Sequence, residues 1–374
     1  MKSPRLVRWW GLALILLVTR LAWAEAPAAA PSPPPAPTAA APIRVAPTRP
    51  TKLWPFTRLL KADYVSVRDI AAQFALKPTW TKSQLAMTLS DARGVRFTFD
   101  AGQRDFYFDG VRVFLGVPVL MHKDSLWVSK LDVIKIVAPL FRPTDHLAFL
   151  PAVAPRTIVL DAGHGGIDPG AQNLKLGLSE KNFTLDVALR LRKILELRGW
   201  HVLLIRTDDH ELSKDKKLDL QMRDDLANRE KADLFLSIHF NSAPEAITGI
   251  ETYTMAPQFM FSTGDETGDD MTKVAYPSNR LDYANLLFGE QMHRALLKGL
   301  KTPDRGFKRG RRAVLRMLDC PGALVECAYL SNDAEARRVA TPEFRQQIAE
   351  ALTDGVQNYA AILAALRPAL EPVK

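Results

Sequence analysis

The chain has 374 residues, 47% of them hydrophobic, and a formal net charge of +9. That length accommodates two domains with a sizeable core and excludes a wholly disordered chain. The basic excess comes without a basic, aromatic-interleaved helix or a known reader motif, so it does not indicate nucleic acid as a partner.

Lys2, Arg5 and Arg8 precede the apolar run Trp9–Val18, and Ala22-Trp23-Ala24 follows it. A charged start, a short apolar stretch and small residues at its end describe a signal peptide over 1–24. The apolar run is short for a membrane span, so no stable span is expected after cleavage, and the alternative is an uncleaved anchor. Cleavage would remove four cations and leave a modest basic excess suited to anionic surfaces. Residues 25–50 hold nine alanines and nine prolines, the composition of an extended, semi-rigid linker.

Residues 51–150 read as a small α+β domain. Val65–Phe74 suggests a strand end running into a short amphipathic helix. Short alternating runs follow at Ala86–Leu89, Val95–Phe99 and Val111–Phe114, with Asp109-Gly110 as a two-residue hairpin signal. Leu126–Val128 then leads into a helix near Leu131–Val137.

From Arg156 onward strands and helices alternate. Strands are expected at 157–161, 201–206, 234–240, 249–255 and 323–328. Helices are expected at about 180–198, 218–231, 283–300 and 343–364. The alternation argues for α/β architecture over about 155–368: a single mixed sheet with helices on both faces, carrying the small N-terminal α+β domain. Cys320 and Cys327 are expected as free, largely buried thiols, because the strand around Cys327 carries the two sulfurs apart.

Three strand ends carry polar residues that a core would not select. His164 lies in Asp161-Ala162-Gly163-His164-Gly165-Gly166, His239 ends an apolar strand, and Glu326 sits inside Ala323–Leu330. Ligands of open α/β sheets gather beyond the carboxyl ends of strands. With Glu180, which opens the next helix, two histidines and two carboxylates could converge. Two His and one Glu are a familiar set for catalytic zinc, and the second carboxylate could move a proton. Each residue also has an ordinary reading: a hydrogen-bonded turn histidine, a helix-dipole glutamate, a satisfied core histidine, or half of a buried ion pair between Glu326 and Arg316. Spacings of 16, 59 and 87 residues do not decide between them.

Motifs across residues 156–365 resemble those of the zinc-dependent N-acetylmuramoyl-L-alanine amidases. They run in order: Ile158–Gly166 with Asp168-Pro169-Gly170; Glu180-Lys181-Asn182; Arg223 and Ala227-Asn228; Asp233–Asn241; Gly249–Tyr253; Val314-Leu315; and Leu324–Asn332. The resemblance implies an amidase, zinc-exopeptidase-like fold. It implies Zn2+ held by His164, Glu180 and His239, with Glu326 as catalytic acid/base. It also implies hydrolysis of the amide between N-acetylmuramic acid and L-alanine of the stem peptide, hence peptidoglycan as partner and an exported protein of the periplasm or cell envelope. Residues 51–150 loosely resemble the copper-amine-oxidase N-terminal-like stalk domain; the resemblance leaves room for a protein activator or wall partner there. No copper site accompanies it, since His122 and His146 are that region's only histidines and lack ligand-like spacing. The chain departs from the family at Cys327-Ala328-Tyr329, where small residues and Phe are usual. It also departs at about 256–282, which reads as a polar, flexible loop where some relatives carry an autoinhibitory helix. The rival activities are a zinc peptidase acting within the stem peptide and a catalytically silent wall-binding or activator protein.

Overall fold

Residues 54–264 and 270–366 are described by a computed structural model; the expected signal peptide and linker lie outside the described residues. The chain opens with β1 (Thr57–Leu59) and β2 (Ala62–Ser66). It continues into α1 (Val67–Phe74), whose start is fixed by Ser66 accepting from the Asp69 amide. Next come β3 (Lys77–Trp80), β4 (Ala86–Asp91), β5 (Gly94–Asp100), β6 (Asp105–Phe108), β7 (Val111–Phe114), β8 (Leu120–His122) and β9 (Ser125–Ser129). Asp109 and Gly110 join β6 to β7 with φ of 48° and 80°, the left-handed pair a two-residue hairpin needs. α2 (Lys130–Asp132), a π-turn (Val133–Val137) and α3 (Ala138–Phe141) then run on as one helical segment.

The second half contains β10 (Thr157–Ala162), a small hairpin of β11 (Gln172–Asn173) and β12 (Leu178–Ser179), α4 (Glu180–Leu197), β13 (His201–Leu204), α5 (Lys216–Arg229), β14 (Leu234–Asn241) and β15 (Ile250–Thr254). After these come α6 (Asp282–Leu300), β16 (Asp304–Arg309), α7 (Ala313–Arg316), β17 (Gly322–Tyr329), α8 (Asp333–Ala340) and α9 (Pro342–Leu366). β1, β3, β6, β8, β11, β12 and β16 are strands beyond those expected. β16, Asp304-Arg305-Gly306-Phe307-Lys308-Arg309, has no apolar alternation to announce it; its neighbours in the sheet hold it.

Eleven strands form one mixed sheet in the order β13-β10-β14-β17-β15-β16-β7-β6-β5-β4-β3. The two regions read as 51–150 and 155–368 therefore share a sheet, joined where β16 pairs parallel with β7 at Phe307 and Val113. β1-β2-β9-β8 make a separate four-stranded sheet. Alternation along β10, β14 and β17 gives the large sheet two distinct faces. Leu160, Leu236, Ile238, Val325 and Cys327 face a core built with α4, α6 and α9. Val159, Phe235 and Leu324 face the other way, under Ala227 of α5 and Val314 and Leu315 of α7. A third core fills residues 65–140 and takes in Met260, Leu286 and Phe307 from the second half.

The stretch expected as a flexible loop at 256–282 is pinned along its described parts. Phe259 N donates to Thr272 O, Thr263 N to Arg309 O, and Asn279 Nδ2 to Ala256 O. Its described residues contain only the short 3-10 turns Asp270–Lys273 and Pro277–Leu281. Cys320 and Cys327 are free and buried, as expected. Among the described residues no helix is long and apolar enough to cross a membrane.

Candidate metal centre

β10, β14 and β17 lie side by side in parallel, and their carboxyl ends carry the site. His239 and Glu326 are cross-strand partners, so their side chains leave the same sheet face. This is the face that α5 and α7 cover further down.

His164 follows β10 in a left-handed conformation, φ 65°. The neighbouring glycines answer a steric demand. A Cβ at Gly163 would lie 2.3 Å from the His239 ring, and one at Gly170 would lie 2.5 Å from Glu180 Oε2 and 2.6 Å from His164 Cδ2. Backbone must pass this close for His164, Glu180 and His239 to meet. Two buried arginines hold the turn from beneath. Arg223 pairs with Asp161 at 2.6 Å and Asp219 at 2.9 Å, and donates to His164 O at 3.1 Å. Arg206 donates to Ala162 O, Gly163 O and Lys181 O. Asp161, the carboxylate buried in β10, accepts from Arg223 and, at 2.7 Å, from Ser237. Burial opposes its charge, but Arg223, His239 and the Ser237 hydroxyl together outweigh that and hold the carboxyl below its ordinary range.

The structure brings together all three residues expected as ligands. One nitrogen or carboxylate oxygen from each of His164, Glu180 and His239 lies within 4.8 Å of the others. Glu180 Oε2 is 3.1 Å from His164 Nε2, and Glu180 Oε1 is 2.9 Å from His239 Nδ1. The amides of Ala171 and Phe240 donate to the same carboxylate at 2.7 and 2.9 Å. Burial penalises the Glu180 charge, yet its bonds to His164 and His239 hold the carboxyl well below its usual range. The reciprocal effect appears at His239: burial disfavours its cation, the Glu180 bond favours it, and the balance is upward. His164 turns its other nitrogen to Asp168, Nδ1 to Oδ2 at 2.8 Å. Asp168 also pairs with Lys216. These contacts leave His164 Nε2 facing the cluster.

Glu326 differs from Glu180. Its Oε2 is buried and has no hydrogen-bond partner. Burial pushes its carboxyl up to about 7; His239 and Arg312 pull against the rise, while Glu180 and Glu251 add to it. The ion pair imagined with Arg316 does not form, since Arg316 Nε donates to Arg311 O. Sequence reasoning assigned no role to Asp168, Arg206, Arg312 or the Glu251 cluster. Asp168 sat within a quoted motif, whereas Arg312 carries no local signal.

The second half of the chain is similar to known proteins. A family model described as N-acetylmuramoyl-L-alanine amidase matches residues 158–358. The germination-specific N-acetylmuramoyl-L-alanine amidase of Bacillus subtilis is 31% identical over 213 residues, covering 54% of this chain and 79% of that protein. The amidase AmiC of Escherichia coli is 30% identical over 229 residues, covering 55% of this chain and 53% of that protein. Among solved structures, the catalytic domain of the amidase CwlV from Bacillus (Paenibacillus) polymyxa is 30% identical with a TM-score of 0.45, covering 55% of this chain and 97% of that one. With more than half its length matched, the chain belongs to the N-acetylmuramoyl-L-alanine amidase family Amidase_3.

Proposed function

We propose that the chain is a zinc-dependent peptidoglycan hydrolase that cleaves the amide between N-acetylmuramic acid and L-alanine of the stem peptide. His164, Glu180 and His239 are its metal ligands and Glu326 its catalytic acid/base. The observation that carries this reading is the convergence of the three ligands beside a buried carboxylate oxygen that has no partner. The donor set fits zinc, because two imidazoles and one carboxylate leave a fourth position for water. Bound there, zinc supplies a Lewis acid that makes water more acidic and the scissile carbonyl more electrophilic.

The remaining work belongs to the chain. Asp168 fixes the ring of His164, as carboxylate partners of ligating histidines do. Glu326, with a carboxyl near 7, can accept a proton and return it at neutral pH. It takes the proton from the attacking water and delivers it to the departing alanine amine as the C–N bond breaks. The products are a free lactyl carboxylate and a free L-alanine amine. A wall substrate puts the enzyme outside the cytoplasm, in keeping with the leader read at 1–24. Residues 51–150 are the proposed contact with the wall or an activator protein, through surfaces not engaged with the catalytic half.

The test uses purified residues 51–374 on defined muropeptides, with and without chelator, read by mass spectrometry. The expected result is the lactyl acid paired with the intact stem peptide, lost with chelator and restored by zinc. Cleavage inside the stem peptide would overturn the assignment.

A further inference from the structure

The sheet face that carries Glu326 continues into a charged cluster that the hydrolysis itself does not use. Glu251 on β15 is in register with Glu326 on β17. Its carboxylate is fully engaged: Lys308 Nζ at 2.6 Å, Arg305 Nε at 3.6 Å, the Tyr253 hydroxyl at 2.7 Å, and the Tyr329 hydroxyl. Lys308 and Arg305 thus have their counter-charge. Arg312 does not. It is exposed, and among the described residues no carboxylate lies at ion-pair distance from it. Its guanidinium carbon instead sits 4.1 Å from the centre of the Tyr253 ring.

That position is held from below. Glu251 fixes the Tyr253 hydroxyl, the ring presents its face, and the cation rests on it. A guanidinium resting over an aromatic ring can still offer N–H donors to a planar anion such as a carboxylate. Its seat lies on the sheet face that carries the proposed acid/base, since Tyr253 is in register with Leu324 and Glu251 with Glu326. β15 is one strand from Glu326 and two from His239. Tyr253 is in register with Leu324, two residues before Glu326, so about 4.8 Å per strand and about 3.4 Å per residue put it roughly 12 Å from His239. An extended peptide covers that distance in about three residues.

We propose that Arg312 is a specificity-determining residue that pairs with a carboxylate of the stem peptide, on an acidic residue one to three positions beyond the scissile L-alanine. This rests on the amidase reading above and adds to it the substrate group that is recognised.

The experiment compares wild type, Arg312→Ala and Arg312→Lys on muropeptides in which each stem carboxylate is amidated in turn. Wild type is expected to prefer the free acid at one position by about tenfold in kcat/KM, mostly through KM. Arg312→Ala should bring that ratio close to one, and Arg312→Lys should restore part of it. An acid-to-amide ratio that is the same in wild type and Arg312→Ala, at every position, overturns the proposal. Should Arg312→Ala melt well below wild type, Arg312→Gln, which keeps a planar group over Tyr253, carries the same comparison. If wild type hydrolyses none of the muropeptides, the amidase reading falls and this inference falls with it.

Discussion

Glu326 has a buried oxygen with no partner, and no salt bridge holds its side chain among the described residues. Removing it therefore breaks no buried ion pair, whose loss typically costs about 3–5 kcal/mol. Glu326→Ala should fold with an unchanged or raised melting temperature and keep its zinc. It should lose general acid/base help worth about 10²–10⁴-fold in rate. His239→Ala should lose both metal and activity, since it removes a proposed ligand. Zinc content, melting temperature and turnover on the same preparations separate the two roles; a folded, zinc-loaded Glu326→Ala with wild-type turnover would remove the catalytic assignment. Asp168 makes a finer point. It touches His164 at the nitrogen facing away from the cluster. Asp168→Asn should leave the fold intact and weaken zinc binding by about 10–100-fold, the usual effect of losing such a partner. Competition against a chromogenic chelator measures it, and unchanged affinity would show that the loop alone orients the ring.

At the scale of elements, the helices that brace the site carry their own liabilities. Asp224 on α5 is buried, and its Oδ1 has no partner. Burial raises its carboxyl to about 8, against an amide bond from Met317 that favours the charge. The folded state thus holds this proton more tightly than the unfolded chain, where the pKa is about 3.9. The stability this proton contributes is complete below about pH 4 and is lost as pH rises towards 8. Asp224→Asn should therefore gain on wild type in melting temperature between pH 5 and 8.5, with the two curves converging in acid. Parallel curves would show that Asp224 is charged at no cost. The same scale shows what was legible in advance. β10, β14 and β17 stand out as apolar runs followed by His164, ending near His239 and holding Glu326; the two histidines meet in one cluster, and Glu326 is the cross-strand partner of His239. The residues alone raised the convergence of His164 and Glu180 without deciding it, because it depends on glycines that let backbone pass within van der Waals distance of both side chains. β16 was not legible. Its sequence is mostly charged, and only its position between β15 and β7 makes it a strand. Arg312 was hidden for a related reason, since its seat is a tyrosine 59 residues earlier in the chain.

The molecule as a whole couples the region before residue 150 to the catalytic half more closely than a tethered module would be. Val113 of β7 pairs with Phe307 of β16, and the Arg112 amide donates to Asp304 at 2.9 Å. Lys135 pairs with Asp282 at 2.9 Å, and Arg104 donates to Ser262 O at 2.8 Å. Met260, Leu286 and Phe307 are buried in the core of residues 65–140. Deleting residues 51–150 would expose these three side chains, each worth about 1.5–3 kcal/mol when fully buried. It would also leave β16 as a bare sheet edge, a site for non-native pairing. Residues 151–374 alone should therefore melt well below residues 51–374, or aggregate, and lose activity even on small soluble muropeptides that need no wall targeting. Phe307→Ala in the longer chain tests the same coupling without truncation. It should cost about 3–5 kcal/mol, as large core deletions do. Substrate turnover at a temperature where each variant is folded then distinguishes a scaffold from a targeting device. A truncated chain that melts like the longer one and hydrolyses soluble substrate normally, while failing only on intact sacculi, would restrict residues 51–150 to targeting.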